Sequence, residues 1–103
     1  MTPVRFRNWT CRVEQGRYSN GRTALQLVDA IDGEPIAKAT INLPDEPCGP
    51  DECFIKSYAE NGPQGGQPGM LEALEQAGVV QRTGEWVKSG FVQVPKCRIV
   101  GRA

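Results

Sequence analysis

The chain contains no histidine. That absence removes the commonest general acid–base at neutral pH, and with it the base of Ser-His and Cys-His nucleophile systems. Carboxylates and lysines can catalyse without histidine, but no pair here has a spacing that singles it out. Asp45, Glu46, Asp51 and Glu52 fall in a proline-rich stretch, where acids are ordinarily just solvated. The expectation is a protein that is not an enzyme and needs no cofactor. Long apolar runs are also missing: none approaches the ~20 residues that span a bilayer, so no membrane partner is expected. The opening Met1-Thr2-Pro3-Val4-Arg5-Phe6 lacks the apolar core of a signal peptide, which points to the cytoplasm. Net charge is absent too, with 12 Lys and Arg against 12 Asp and Glu. A strong nucleic-acid binder shows a basic excess and a DNA mimic an acidic one, and neither is visible. The glycine-rich run at 62–69 has no Walker lysine and does not follow the strand–glycine–helix order of a nucleotide site.

What is present describes one small α+β domain over residues 1–103, long enough for one hydrophobic core. With 12 glycines and 8 prolines, turns dominate over long helix. Trp9, Cys11 and Val13 alternate with Thr10, Arg12 and Glu14, the period of a strand with one dry face. Asn20-Gly21 predicts a two-residue type I′ hairpin turn, and Asp32-Gly33 a second hairpin. Between and after them lie strand-length runs, Thr23 to Ile31 and Pro35 to Leu43, so the N-terminal half is expected to be an antiparallel β-meander. Residues 44–50 must be a loop, and Phe54 to Tyr58 a short strand. Met70 to Ala77 is the one expected helix. Met70, Leu71, Leu74 and Ala77 line one side of it, and Gly78 stands where a left-handed C-terminal residue belongs. So short a helix is stable only when docked on a sheet face. Thr83-Gly84 and Ser89-Gly90 signal turns around Glu85-Trp86-Val87-Lys88. Phe91 to Val100 closes the chain as a strand in which Pro95 marks an edge or a bulge.

Charge is uneven along the chain. Residues 1–22 hold Arg5, Arg7, Arg12, Arg17 and Arg22 against Glu14, whereas 23–60 are mostly acidic. Cys48 and Cys53 form a C-x₄-C pair in a loop, while Cys11 and Cys97 sit singly in expected strands. Small buried hydrophobes with a reduced loop pair, a Cys48–Cys53 disulfide, and a metal site on Cys48 and Cys53 are all open; two C-x₂-C knuckles, the strong zinc signal, are missing. Most of the seven aromatics are needed for the core, which leaves Tyr58 at a strand end and Trp86 between turns as the ones expected at the surface.

The runs Phe54-Ile55-Lys56-Ser57-Tyr58-Ala59-Glu60-Asn61, Gly69-Met70-Leu71-Glu72-Ala73-Leu74, Ala77-Gly78-Val79-Val80, Thr83-Gly84 and Gly90-Phe91-Val92-Gln93-Val94-Pro95 carry a resemblance. Together they resemble small phage and plasmid proteins of a domain-of-unknown-function family, the one numbered 4313. The resemblance covers residues 54–98, with weaker agreement in the hairpins, and this chain departs from it by inserting Pro63 to Pro68. It implies no catalytic residues. It implies instead a mobile genetic element, whose small proteins often act by binding and blocking a host machine, as anti-CRISPR inhibitors do. The expected partner is therefore a host protein, met through Tyr58, Asn61, Gln64, Gln67, Trp86, Arg5 and Arg7. The alternative is a nucleic-acid accessory protein that uses the basic N-terminal strand.

Overall fold

The computed structural model describes residues 3–57, 69–90 and 92–100. Strands β1 (Val4–Phe6), β2 (Trp9–Arg17), β3 (Thr23–Asp29) and β4 (Pro35–Lys38) form an antiparallel meander in the order β1-β2-β3-β4. Strands β5 (Thr40–Ile41), β6 (Glu52–Ile55), β7 (Val80–Ser89) and β8 (Val92–Ile99) form a second antiparallel sheet, ordered β5-β6-β8-β7. Among the described residues there is one helix, α1 (Met70–Gln76), which precedes β7. This is the α+β fold that the sequence predicts, with an N-terminal meander, C-terminal strands and one short helix. The difference is that the strands divide between two sheets.

The division happens inside the run expected to be one strand from Pro35 to Leu43. Ala39 breaks it: its N–H donates to Leu25 O in the first sheet (2.9 Å), while its carbonyl accepts from Lys56 N in the second (2.8 Å). The next residue, Thr40, is fully buried, and its Oγ1 accepts the Leu25 N–H at 3.1 Å and lies 2.9 Å from the Tyr18 hydroxyl. A threonine suits this corner because its hydroxyl takes up an amide that the bend takes off the ladder. On the far side, α1 packs against both β1 and β7, the outer strands of the two sheets. The sheets therefore meet along the β4–β5 kink and are bridged by the helix opposite it. The main core fills the space between, with Val4, Cys11, Leu27, Ile55, Leu74 and Cys97 all under 1% exposed.

Local chemistry explains the helix. Gly69 enters at φ 87°, Leu71 N–H donates to Ser57 Oγ (3.1 Å), and Met70, Leu71, Ala73 and Leu74 are buried. At the other end Gly78 has φ 75°, with Gly78 N to Glu75 O at 3.0 Å and Val79 N to Leu74 O at 2.9 Å. These two bonds form the Schellman motif, so the expected role of Gly78 holds.

The turns are where the sequence expectations are too simple. Tyr18 N donates to Arg22 O (2.8 Å) and Gly21 N to Tyr18 O (2.9 Å), closing a three-residue loop, Ser19-Asn20-Gly21, rather than a two-residue one. Of those residues only Gly21 has positive φ (85°), and the Asn20 side chain serves instead as acceptor for the Arg22 N–H at 3.2 Å. The second hairpin also runs longer, with Asp29 N to Glu34 O at 2.8 Å enclosing Ala30 to Gly33. Thr83-Gly84 is no turn at all. Arg82 pairs with Cys97 and Trp86 with Pro95, so Thr83, Gly84 and Glu85 bulge opposite Lys96 within one long strand. Pro95 accordingly lies in β8, an inner strand of its sheet, beside the bulge of β7. The strand expected from Phe54 runs from Glu52 to Ile55.

Phe54 points away from its neighbours Cys53 and Ile55 and forms a second, small core with Ile41 and Val94 on the outer face. Leu43 and Cys48 cover it. The loop that carries them is pinned by the Arg22 guanidinium, which donates to Leu43 O, to Pro44 O (3.2 Å) and to Glu46 O (2.6 Å). Among the described residues no helix is long and apolar enough to cross a membrane.

Candidate binding surface

Of the expected surface residues, Tyr58, Asn61, Gln64 and Gln67 lie outside the described residues. Arg5, Arg7 and Trp86 are all exposed, but the fold does not bring them together. Arg5 and Arg7 belong to β1 and its turn, Trp86 to β7, and α1 packs between those strands.

The β1–β2 turn is Arg7-Asn8, closed by the Phe6–Trp9 pair. Arg7 has φ 54°, making it the one described non-glycine residue at positive φ, in a turn whose first position usually goes to glycine. Its guanidinium stands over the Phe6 ring, 4.8 Å from the centroid. Trp9 shares the dry face with Phe6, Cys11 and Val13, as the alternation predicts. It lies at the end of the sheet, however, where Phe6 already fills the last inward position, and it remains 48% exposed. Sequence periodicity gives the face of a residue but not where the core stops.

The β3–β4 turn reaches the same end of the sheet. Cys11 pairs with Asp29, and the ladder continues one step further through Ala30 N to Thr10 O at 3.1 Å. The next turn residue, Ile31, is thus placed alongside the start of β2, where Trp9 lies, and it is 96% exposed. Asp29 Oδ1 accepts the Ile31 N–H (2.8 Å), and Asp32 Oδ1 accepts the Glu34 N–H (3.0 Å), so two aspartates hold the turn in shape. Arg12 also faces this end, since a Cβ placed on Gly33 would lie 3.1 Å from its Nη2. The outcome is an end of the first sheet where Trp9 and Ile31 stand out beside the Arg7 turn, while Arg5 alternates with the buried Val4 and Phe6 and lies near Ala73 of α1 and Ala77 just after it. The sequence singles out neither Trp9 nor Ile31 for this surface. Its strand pattern runs through to Ile31, although Asp32-Gly33 directly after it signals the turn.

The remaining arginines of the basic stretch are used locally. Arg12 lies 3.6 Å from Glu14, Arg17 donates to Gly21 O (2.9 Å), and Arg22 pins the 43–46 loop. Trp86 stands apart on the second sheet, 48% exposed and opposite Pro95.

The charged groove on the second sheet, about 350 Å³ in volume, includes Glu52, Arg82, Glu85 and Arg98 in its lining. Lys96 Nζ lies 3.5 Å from Glu52 and 3.8 Å from Glu85. The Gly49 N–H donates to Glu52 Oε1 at 2.8 Å, and this bond, with Lys96 beside it, holds the Glu52 carboxyl below the usual range. A carboxylate kept ionised in this way gives up no proton near neutral pH, so its geometry is that of an ion-pair network. Among the described residues no group of three or more His, Cys, Asp or Glu is placed to hold a metal. Cys48 and Cys53 are both free thiols, Cys53 in the main core and Cys48 packed against the outer one. Cys53 and Cys97 are directly opposed across β6 and β8, and burial pushes both thiols up, Cys97 to about 12.

No protein-family model, curated protein or solved structure matches the chain.

Proposed function

We propose that the chain is a non-catalytic binding protein of a phage or other mobile element, and that it acts by seating the Trp9–Ile31 end of its first sheet on a host protein. The observation that carries this reading is that two large apolar side chains are left exposed at one end of one sheet, next to the turn that holds Arg7. Tryptophan and arginine are the residue types that dominate interface energetics. Covering the open half of Trp9 and most of Ile31 would remove on the order of 200 Å² of apolar surface, or roughly 5 kcal/mol of favourable transfer before association costs. Arg7 adds support, because a non-glycine residue held at positive φ in a hairpin tip is a local cost of the kind found at binding sites. The mobile-element context comes from the resemblance over residues 54–98. Blocking a defence enzyme, as anti-CRISPR inhibitors do, is the action this context suggests. The nucleic-acid alternative draws less support, since Arg12, Arg17 and Arg22 face local acceptors instead of forming an open track for phosphates.

The test is affinity capture from bacterial host lysate with the wild-type chain and with a Trp9→Ala/Ile31→Ser variant of matched thermal stability. One identified protein is expected to be retained in stoichiometric amount by the wild type and lost by the variant. Equal retention by both, or steeply salt-dependent binding of DNA with no protein captured, would overturn the reading.

A further inference from the structure

A different surface carries a second kind of contact. Strand β7 is the outer strand of its sheet, and among the described residues no strand pairs with it on the side away from β8. The helix lies against its beginning, where Arg82 holds Glu75 at 2.7 Å. Beyond the bulge at Thr83 to Glu85, the segment Trp86-Val87-Lys88-Ser89 is regular, paired in turn with Pro95, Val94, Gln93 and Val92.

The direction of its backbone groups follows from the register. In an antiparallel ladder, alternate pairs exchange both N–H···O bonds, and the pairs between them turn their groups outward. Pro95 has no N–H to give Trp86, so Trp86–Pro95 is one of the outward pairs and Val87–Val94 one of the bonded pairs. The Ser89–Val92 closure around a two-residue connection agrees with that phase. Trp86 and Lys88 therefore present two donors and two acceptors at an open edge.

We propose that this edge pairs with the same edge of a second copy of the chain, making the second sheet continuous across a two-fold axis. An axis normal to the sheet keeps each residue on its own face, so only a few registers are open. Lys88 against Lys88 of the partner subunit would set like charges opposite one another. Trp86 against Trp86 of the partner subunit bonds only that pair and brings the bulge at Gly84 opposite Lys88. Val87 against Val87 of the partner subunit instead pairs Trp86 with Lys88 twice. That register closes four main-chain bonds, lays each ammonium beside an indole, and opposes Glu85 to Ser89. The edge is thus self-complementary in hydrogen bonding and in side-chain chemistry, and its half-exposed tryptophan gains cover. The contact is small, so the dimer is a weak one that forms in proportion to concentration.

Sedimentation of the full chain from roughly 1 µM to 1 mM tests it. A concentration-dependent shift from monomer to dimer is expected. Lys88→Pro should abolish the shift with the circular dichroism spectrum unchanged, because that N–H points away from β8. As a second arm independent of that proline, Val87→Cys in a Cys48→Ser background should cross-link under mild oxidation at least ten times faster than Gln93→Cys in the same background. A monomer at every concentration, a dimer that tolerates Lys88→Pro in the folded chain, or equal cross-linking at both positions overturns the proposal. The Trp9→Ala/Ile31→Ser variant keeps the dimer, which separates this contact from the host-protein surface.

Discussion

Truncating Arg22 to alanine removes a guanidinium that donates to three carbonyls, those of Leu43, Pro44 and Glu46. It lies in the β2–β3 connection, 21 to 24 residues away from the loop it holds. Hydrogen bonds from a charged donor are worth about 1.5–3 kcal/mol each when buried. Two of these bonds are only part-buried and the third is exposed, so water recovers much of the loss, and the net cost should be about 2–3 kcal/mol. For a domain of this size that corresponds to a drop in Tm of about 10–20 °C. The damage should be directional. The loop carries Leu43 and Cys48 over Phe54, so its release opens the outer core first. Circular dichroism melts give the stability, and the rate at which Cys48 reacts with an aromatic disulfide reagent gives the loop. Arg22→Ala should react much faster at Cys48 in the folded state, and Arg22→Lys should fall between it and the wild type. A loss under about 0.5 kcal/mol with unchanged Cys48 labelling would show that packing alone holds the loop.

Acid should weaken the fold through two carboxylates. Glu52 is held low by the Gly49 N–H and Lys96, and Glu75 by its bonds to Arg82. A depressed folded-state pKa stabilises above the unfolded value, about 4.3 for Glu, and that contribution is lost as pH falls through the folded value. Urea midpoints should therefore fall as pH drops from about 5 to about 3. The Glu75→Gln midpoint should start lower at neutral pH and converge on the wild type in acid; parallel curves would count against the assignment. The native chain should offer one thiol to an alkylating reagent, Cys48. Burial pushes all four thiols up, but only Cys11, Cys53 and Cys97 are closed off from reagent, so those three should label only on unfolding. Mass spectrometry after a brief pulse counts them, and fast labelling of Cys97 would refute the core packing described.

Much of the fold was legible because its signals are local. Gly21, Gly33 and Gly78 each mark a place where the backbone needs positive φ, and all three sit at element ends, at 85°, 77° and 75°. The helix was legible from the apolar spacing of Met70, Leu71 and Leu74, and the inward face of β2 from Cys11 and Val13. Turn length was less so. Asn20-Gly21 suits a two-residue turn, but the Arg17–Thr23 register leaves five residues to close, and a glycine-terminated three-residue loop satisfies that count. Thr83-Gly84 carries a turn signal that the ladder absorbs as a bulge, because the strand continues on both sides.

The sequence alone determined that histidine is missing and where most of the strands, the helix and the glycine-marked hairpins lie, since composition and short-range periodicity act within a few residues. Only the tertiary structure decided that Ala39 divides one run between two sheets, that Arg22 clamps a distant loop, and that Cys48 and Cys53 face opposite ways. It also decided that Trp9 and Ile31, which the sequence places in strands, are left exposed at the same end of the first sheet. Burial depends on where a neighbouring strand stops. That is set by pairing between segments 20 or so residues apart in the chain, and no local pattern encodes it.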